Sequence, residues 1–236
     1  MNFLRNNLAN TFTLGNLFSG SVGIISLLNG DYRITALCII ISLVLDFLDG
    51  FVARAMKADS NLGVQLDSLA DMVSFGLLPG LTMFEMLQNA KGIGISDARD
   101  YLPYFGLIIT LFSCLRLAIF NLDDEQKYYF KGLNTPTNTI FIFGLYYAYR
   151  EYGSFDYIAL NASFLLIITA VSSWLLISPV RMISMKFKSM KLQDNYSKLA
   201  LLLGIVTILS VFGLAGIPLA VIYYIAVSII FRKQLT

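Results

Sequence analysis

The sequence contains no histidine, and only 14% of its 236 residues are charged. Soluble domains usually carry about 25% charged residues, so this composition excludes a single water-facing globule. The absence of histidine removes the commonest general base and the commonest ligand of transition metals. Carboxylates must therefore hold any bound metal, which favours Mg²⁺, Mn²⁺ or Ca²⁺.

Cysteine and net charge are also scarce. Cys38 and Cys114 lie inside apolar runs without the spacing of a metal site, which indicates two buried, unpaired side chains. The net charge is only +2, too small to indicate a nucleic-acid partner. Hydrophobic residues make up 57% of the chain, and the mean hydropathy is +0.70. We therefore predict an integral membrane protein.

Apolar runs that approach the length of a membrane crossing, about 20 residues, recur along the whole chain. The N-terminal sequence MNFLRNNLANTFTLGN lacks the pattern of a cleavable signal and predicts a short interfacial helix before the first span. Gly213, Gly216 and Pro218 predict a tight turn between the last two spans. The predicted fold is all-α, a single polytopic membrane domain over residues 1–236 with about eight transmembrane helices. The spans are predicted at residues 11–28, 34–56, 62–87, 102–122, 135–149, 157–180, 199–214 and 217–231.

The distribution of lysine and arginine predicts the orientation in the membrane. Eight spans place both termini on one side, together with 13 of the 17 lysines and arginines. Because cytoplasmic loops carry an excess of basic residues, this side is predicted to be the cytoplasm. The protein is then a multi-pass protein of the cell membrane, and the second span ends and the third span begins at the cytoplasmic face.

Four aspartates lie at those two span ends. Asp46 and Asp49 are three residues apart, and Asp67 and Asp71 are four apart, so each pair shares one helix face. Ionisable groups within spans are costly and usually mark function. Divalent cations would remove the repulsion between the carboxylates, and two such ions can clamp phosphate oxygens. One carboxylate can remain to take a proton from a hydroxyl.

The stretch DFLDGFVARAMKADSNLGVQLDSLAD, which contains these aspartates, resembles the signature of the CDP-alcohol phosphotransferase family. The resemblance implies that an alcohol attacks the phosphorus of a CDP-linked lipid and that CMP leaves. It implies that Asp46, Asp49 and Asp67 bind Mg²⁺ or Mn²⁺ as two ions. It also places Asp71 at the metal site, as the general base, and it implies a homodimer. The signature positions are Asp46, Asp49, Gly50, Ala53, Arg54, Gly63, Asp67 and Asp71.

Further segments resemble the phosphatidylserine synthase branch of this family. They are LANTFTLGN, in which Ala9 replaces a proline, CLRLAIFN, and FKGLNTPTN. The resemblance implies transfer of a phosphatidyl group from CDP-diacylglycerol, or from its ether-lipid equivalent CDP-archaeol, to L-serine. The residues that it places around the CDP group are Asn10, Thr13, Asn16, Gly50, Ala53, Arg54 and Gly63, with Arg54 as a charge partner.

The acceptor site can be predicted from chemistry alone. The carboxylate of free serine requires an arginine or lysine near the metal site. Arg116 near the end of the fourth span and Lys131 in the following loop are the candidates, and Asn121 and Thr135 offer hydrogen bonds. The residues leave other functions open. They are the same chemistry with glycerol 3-phosphate or an inositol phosphate as acceptor, a carboxylate-lined divalent-cation transporter, and a prenyltransferase.

Overall fold

The computed structural model describes residues 2–56, 61–91, 100–123, 130–153, 160–183 and 196–231. Most of the stretch from residue 181 to residue 198, which is rich in lysine, lies outside these ranges. Two 3₁₀ turns, Leu102–Leu107 and Gly213–Gly216, lead into helices. The α-helices within the described ranges are α1 (Asn2–Leu28), α2 (Tyr32–Met56), α3 (Asn61–Asp71), α4 (Leu78–Gln88), α5 (Ile108–Leu122), α6 (Thr135–Glu151), α7 (Ala162–Ile177), α8 (Tyr196–Phe212) and α9 (Ile217–Ile230).

Five helical segments of this described part are long and apolar enough to cross a membrane. They indicate a multi-pass membrane protein and confirm the predicted helical membrane bundle. The number of eight spans stays a prediction, because α6 and α7 have only 17 and 16 residues. The five segments are Leu8–Leu28, Tyr32–Ala55, Asn61–Gln88, Leu102–Leu122 and Tyr196–Ile230.

The last of these segments is a hairpin. Gly213, at φ +57°, takes the left-handed conformation that glycine adopts readily. The chain therefore reverses there, as the sequence predicts. Tyr223 Oη of α9 then donates to the carbonyl oxygen of Ala200 in α8 at 2.9 Å.

The N-terminal prediction needs one change. Helix α1 runs without a break from Asn2 to Leu28, so the interfacial helix is not a separate element but the first turns of α1.

The cysteines differ from the prediction that both are buried. Both are free, but only Cys38 is buried, and Cys114 is exposed on α5.

A π-helical segment, Met72–Leu77, joins α3 to α4 and begins directly after Asp71. Hydroxyls of neighbouring helices bond to its carbonyl oxygens: Thr139 Oγ1 donates to Phe75 at 3.1 Å, and Thr110 Oγ1 donates to Gly76 at 3.1 Å. The wider helical turn thus packs between α5 and α6. Beyond it, Leu78, Met83 and Met86 enter the main apolar core.

Two short strands connect the loop before α6 to the segment after α7. Strand β1 (Phe130–Lys131) pairs antiparallel with β2 (Arg181–Met182), and Lys131 lies opposite Arg181. Leu133 N continues the contact by donating to the carbonyl oxygen of Leu175 at 2.9 Å. This strand pair fixes the chain immediately before α6.

Helix α9 holds the strand pair from the other side. Tyr224 Oη donates to the carbonyl oxygen of Ile183 at 3.0 Å, and Ile183 N donates to Ser228 Oγ at 3.2 Å. Tyr224 also packs against the apolar cluster that contains Leu133 and Met182. The C-terminal hairpin, α8–α9, therefore supports the segment that leads into α6.

Candidate active site

The four predicted aspartates meet where α2 and α3 lie side by side. One carboxylate oxygen each from Asp46, Asp49 and Asp67 can be chosen so that all lie within 4.8 Å of one another. Asp71 lines a cavity that also contains these three carboxylates, and it is 8% exposed. It is not part of the cluster of three. The geometry therefore separates three clustered carboxylates from a fourth that lies one helical turn further along α3.

Helix α1 supplies hydrogen bonds to both pairs of aspartates. Thr13 Oγ1 donates to Asp49 Oδ2 at 2.6 Å, and Asn16 Nδ2 donates to Asp71 Oδ1 at 3.1 Å. Thr13 and Asn16 are three residues apart, so they share the face of α1 that packs against α2 and α3. One face of α1 thus orients a carboxylate on each of the two neighbouring helices.

The cluster of three carboxylates fits a divalent cation. Its donors are carboxylate oxygens, the ligand type that Mg²⁺, Mn²⁺ and Ca²⁺ prefer. Without a cation, three negative groups at this separation repel one another strongly. Asp46, Asp49 and Asp67 could therefore hold such an ion.

A first cavity of about 340 Å³ contains all four aspartates. Two of the four residues predicted to bind serine, Arg116 and Thr135, line it. Arg116 is 4% exposed, and its guanidinium carbon lies 5.2 Å from the centre of the Phe120 ring. The remaining lining residues are Phe47, Gly50, Arg54, Ser68, Leu117, Phe120, Asn134 and Pro136.

A second cavity of about 190 Å³ lies beside the cluster. Six of the seven residues predicted to surround CDP line it: Asn10, Thr13, Gly50, Ala53, Arg54 and Gly63. The two cavities share Asp49, Gly50, Arg54 and Asp67. They are therefore neighbours, and two of the clustered carboxylates belong to the walls of both.

Three predicted site residues line neither cavity. Asn16 is fully buried against Asp71. Asn121 Nδ2 donates to the hydroxyl of Ser68, which is itself a wall residue, at 2.8 Å. Lys131 forms an ion pair with Asp123 at 2.9 Å. The roles predicted for these three residues stay predictions.

Several wall residues of the first cavity were not predicted from the sequence. Ser68 follows Asp67 directly, and Leu117 and Phe120 follow Arg116 by one and four residues. A helical projection of α5 around Arg116 would have indicated Phe120. Asn134 lies in the segment FKGLNTPTN, and its Oδ1 accepts from Thr137 N at 2.8 Å and caps α6. This cap fixes Thr135 at the cavity wall.

The fold and the site define a multi-pass membrane protein with a carboxylate cluster in the walls of two neighbouring cavities. The sequence profile of the CDP-alcohol phosphatidyltransferase family matches residues 6–175. This match covers more than half of the chain, and the chain belongs to that family.

Several relatives of the chain share the name CDP-diacylglycerol–serine O-phosphatidyltransferase. The chain is 32% identical to the Helicobacter pylori protein over 136 residues, which are 56% of this chain and 54% of the relative. It is 34% identical to the Bacillus subtilis protein over 125 residues, 52% and 66% of the two chains. It is 33% identical to the Saccharomyces cerevisiae protein over 174 residues, 65% and 58%. The chain thus spans between half and two thirds of the length of these relatives.

Proposed function

We propose that this chain transfers a phosphatidyl group from CDP-diacylglycerol to L-serine, with phosphatidylserine and CMP as products. The observation that carries the proposal is that two neighbouring cavities share Asp49 and Asp67 of the carboxylate cluster. A CDP-linked lipid has a nucleotide on one side of its pyrophosphate and a lipid on the other, so it suits two neighbouring cavities with the carboxylates between its two parts. Family membership and the names of the relatives support the same reaction.

The second cavity is the proposed nucleotide site. Gly50, Ala53 and Gly63 in its wall have little or no side chain, so a flat base can approach the backbone closely. Arg54 belongs to both cavities, where a guanidinium can pair with the phosphates that bridge them. The small side chains favour the cytidine here rather than in the first cavity.

The first cavity is the proposed site of serine and of the reacting phosphorus. Arg116 is its buried cation, and it can pair with the serine carboxylate while Thr135 adds a hydrogen bond. Phe47 and Phe120 also line the cavity and are 65% and 39% exposed. In a bilayer these rings face lipid, which favours this side for the acyl or ether chains of the donor.

The reaction forms one bond to phosphorus and breaks another. The serine hydroxyl oxygen attacks the phosphatidyl phosphorus, its proton passes to Asp71, and the bond from that phosphorus to the oxygen of CMP breaks. Asp46, Asp49 and Asp67 would hold Mg²⁺ or Mn²⁺, as two ions, which supply positive charge to the pyrophosphate. Thr13 and Asn16 keep two of the carboxylates in position. The orientation toward the cytoplasm and the homodimer remain part of the proposal.

Release of CMP by the purified protein tests this function. We expect release from CDP-diacylglycerol only with L-serine and Mg²⁺ or Mn²⁺, and CDP-archaeol in parallel tests the lipid backbone. Asp71→Asn should bind the CDP-lipid but lose at least about 100-fold in turnover. Asp100→Asn, at an exposed aspartate outside the site, is the control and should keep full activity.

Three results would contradict the proposal. Turnover with glycerol 3-phosphate or an inositol phosphate, but not with serine, would show that the acceptor is not serine. Full turnover by Asp71→Asn would remove the assigned base. Flux of divalent cations into liposomes without release of CMP would support the transporter instead.

A further inference from the structure

Asn16 lies behind the active site rather than in it. Its side chain is 0% exposed and lines neither cavity. Its Nδ2 donates to Asp71 Oδ1 at 3.1 Å across a separation of 55 residues in the chain. The resemblance of the N-terminal segment predicts CDP binding for Asn16, but from this position the side chain contacts the carboxylate and not the nucleotide cavity.

The main chain around Asn16 is fixed by two other parts of the fold. Ser42 Oγ of α2 and Ser74 Oγ of the π-helical segment both donate to the Asn16 carbonyl oxygen, at 3.3 and 3.1 Å. Gly20, one turn further along α1, permits this approach, because a β-carbon there would lie 2.9 Å from Ser74 Cα. The Asn16 amide is therefore held at a set place relative to Asp71, which lies three residues before Ser74.

Stability alone does not explain an asparagine at this position. Asn16 Oδ1 is buried and has no hydrogen-bond partner among the described residues. A buried polar atom without a partner is unfavourable for folding. The amide group is thus present at some cost in stability, and its Nδ2 is bonded to Asp71.

We propose that Asn16 is a positioning residue for the general base Asp71. Its amide engages Oδ1 and leaves Oδ2 as the oxygen that receives the proton of the acceptor hydroxyl. The proposal rests on the proposed function, because it requires Asp71 to act as the base. It differs from nucleotide binding in one measurable respect: Asn16 affects the chemical step and not the affinity for the CDP-lipid.

Two asparagines of α1 provide a matched comparison. Asn10 lines the nucleotide cavity, whereas Asn16 does not. We expect Asn10→Ala to raise KM for the CDP-lipid with little change in kcat. We expect Asn16→Ala to lower kcat about 10- to 100-fold, part of the 10²- to 10⁴-fold that a general base contributes, while KM changes less than about twofold.

A double-mutant cycle separates positioning from general damage to the fold. If Asn16 acts through Asp71, adding Asn16→Ala to Asp71→Asn should leave the residual rate of the single Asp71→Asn variant unchanged. Asn16→Gln keeps the amide but displaces it by one methylene. It is the second variant if Asn16→Ala does not fold, and it should also lower kcat.

Two results would overturn the proposal. One is a rise in KM for Asn16→Ala that matches the rise for Asn10→Ala. The other is an equal further loss of rate when Asn16→Ala or Asn16→Gln is combined with Asp71→Asn. Failure of the proposed function is recognised separately, because the wild type would then release no CMP with serine, or Asp71→Asn would keep full turnover.

Discussion

Replacing Asp67 by asparagine should stabilise the metal-free protein and remove most of its stabilisation by divalent cations. In the wild type, Asp67 lies within 4.8 Å of both Asp46 and Asp49, measured between the chosen carboxylate oxygens. Two unit charges at this distance repel by about 3.5 kcal/mol at an effective dielectric constant of 20. Asp67 takes part in two such pairs, so the substitution relieves roughly 7 kcal/mol of repulsion when both neighbours are charged.

The cation narrows the difference in stability between the wild type and Asp67→Asn. A ligand at 100 times its Kd stabilises the folded state by about 2.7 kcal/mol. For a chain of this length, each kcal/mol corresponds to a rise of about 2–4 °C in Tm. The wild type should therefore gain about 5–10 °C from saturating Mg²⁺ or Mn²⁺. Asp67→Asn retains two of the three clustered carboxylates and should gain much less.

The assay is thermal unfolding of the purified protein in detergent, followed by the fluorescence of its single tryptophan, Trp174. Each variant is measured with EDTA and across a titration of Mg²⁺ and of Mn²⁺. Asp100→Asn removes the same charge from an exposed position and should behave as the wild type. Either of two results refutes the reasoning: a wild-type Tm that does not respond to metal, or an Asp67→Asn variant that responds to metal as strongly as the wild type.

Two further predictions concern the supports of the fold. Tyr224→Phe removes the hydrogen bond to the Ile183 carbonyl, which is worth about 1 kcal/mol. In steady-state kinetics this variant should raise KM for serine several-fold but leave KM for the CDP-lipid unchanged. Equal changes in the two KM values would contradict this prediction. The pKa of Glu151 is lowered mainly by the hydrogen bond from Tyr32 and secondly by the one from Arg33. The ionised Glu151 side chain therefore stabilises the fold near neutral pH, and this stabilisation is lost as the pH falls through the lowered pKa. The difference in Tm between the wild type and Glu151→Gln should therefore shrink below pH 4.5, and a difference independent of pH would contradict the assignment.

The sequence was most informative where function depends on local spacing. The intervals of three and four residues between the aspartates are helical intervals, so they predict shared faces on α2 and α3, which the structure has. The small residues Gly50, Ala53 and Gly63 were predicted around one ligand, and all line the second cavity. The prediction for the aspartates needs only the geometry of one helix at a time, whereas the small residues, which lie on both α2 and α3, were predicted from the family resemblance.

The sequence was least informative where contacts join distant segments. The Asn16–Asp71 hydrogen bond spans 55 residues, and no periodicity within α1 indicates its partner. The π-helical segment Met72–Leu77 lies in a continuous apolar run, where one additional residue in a turn leaves no compositional signal. The two-residue strands β1 and β2 are too short for an alternating pattern.

Because α9 supports the strand pair, the two cavities depend on different regions of the chain. The carboxylates and the nucleotide cavity come from α1 to α3, within residues 6–175 of the family match. Asn134 and Thr135 in the wall of the first cavity follow β1, which β2 and α9 hold from beyond residue 175. Exchanges in this C-terminal hairpin can thus change the choice of acceptor proposed for the first cavity, while the aspartates and the residues of the second cavity stay constant.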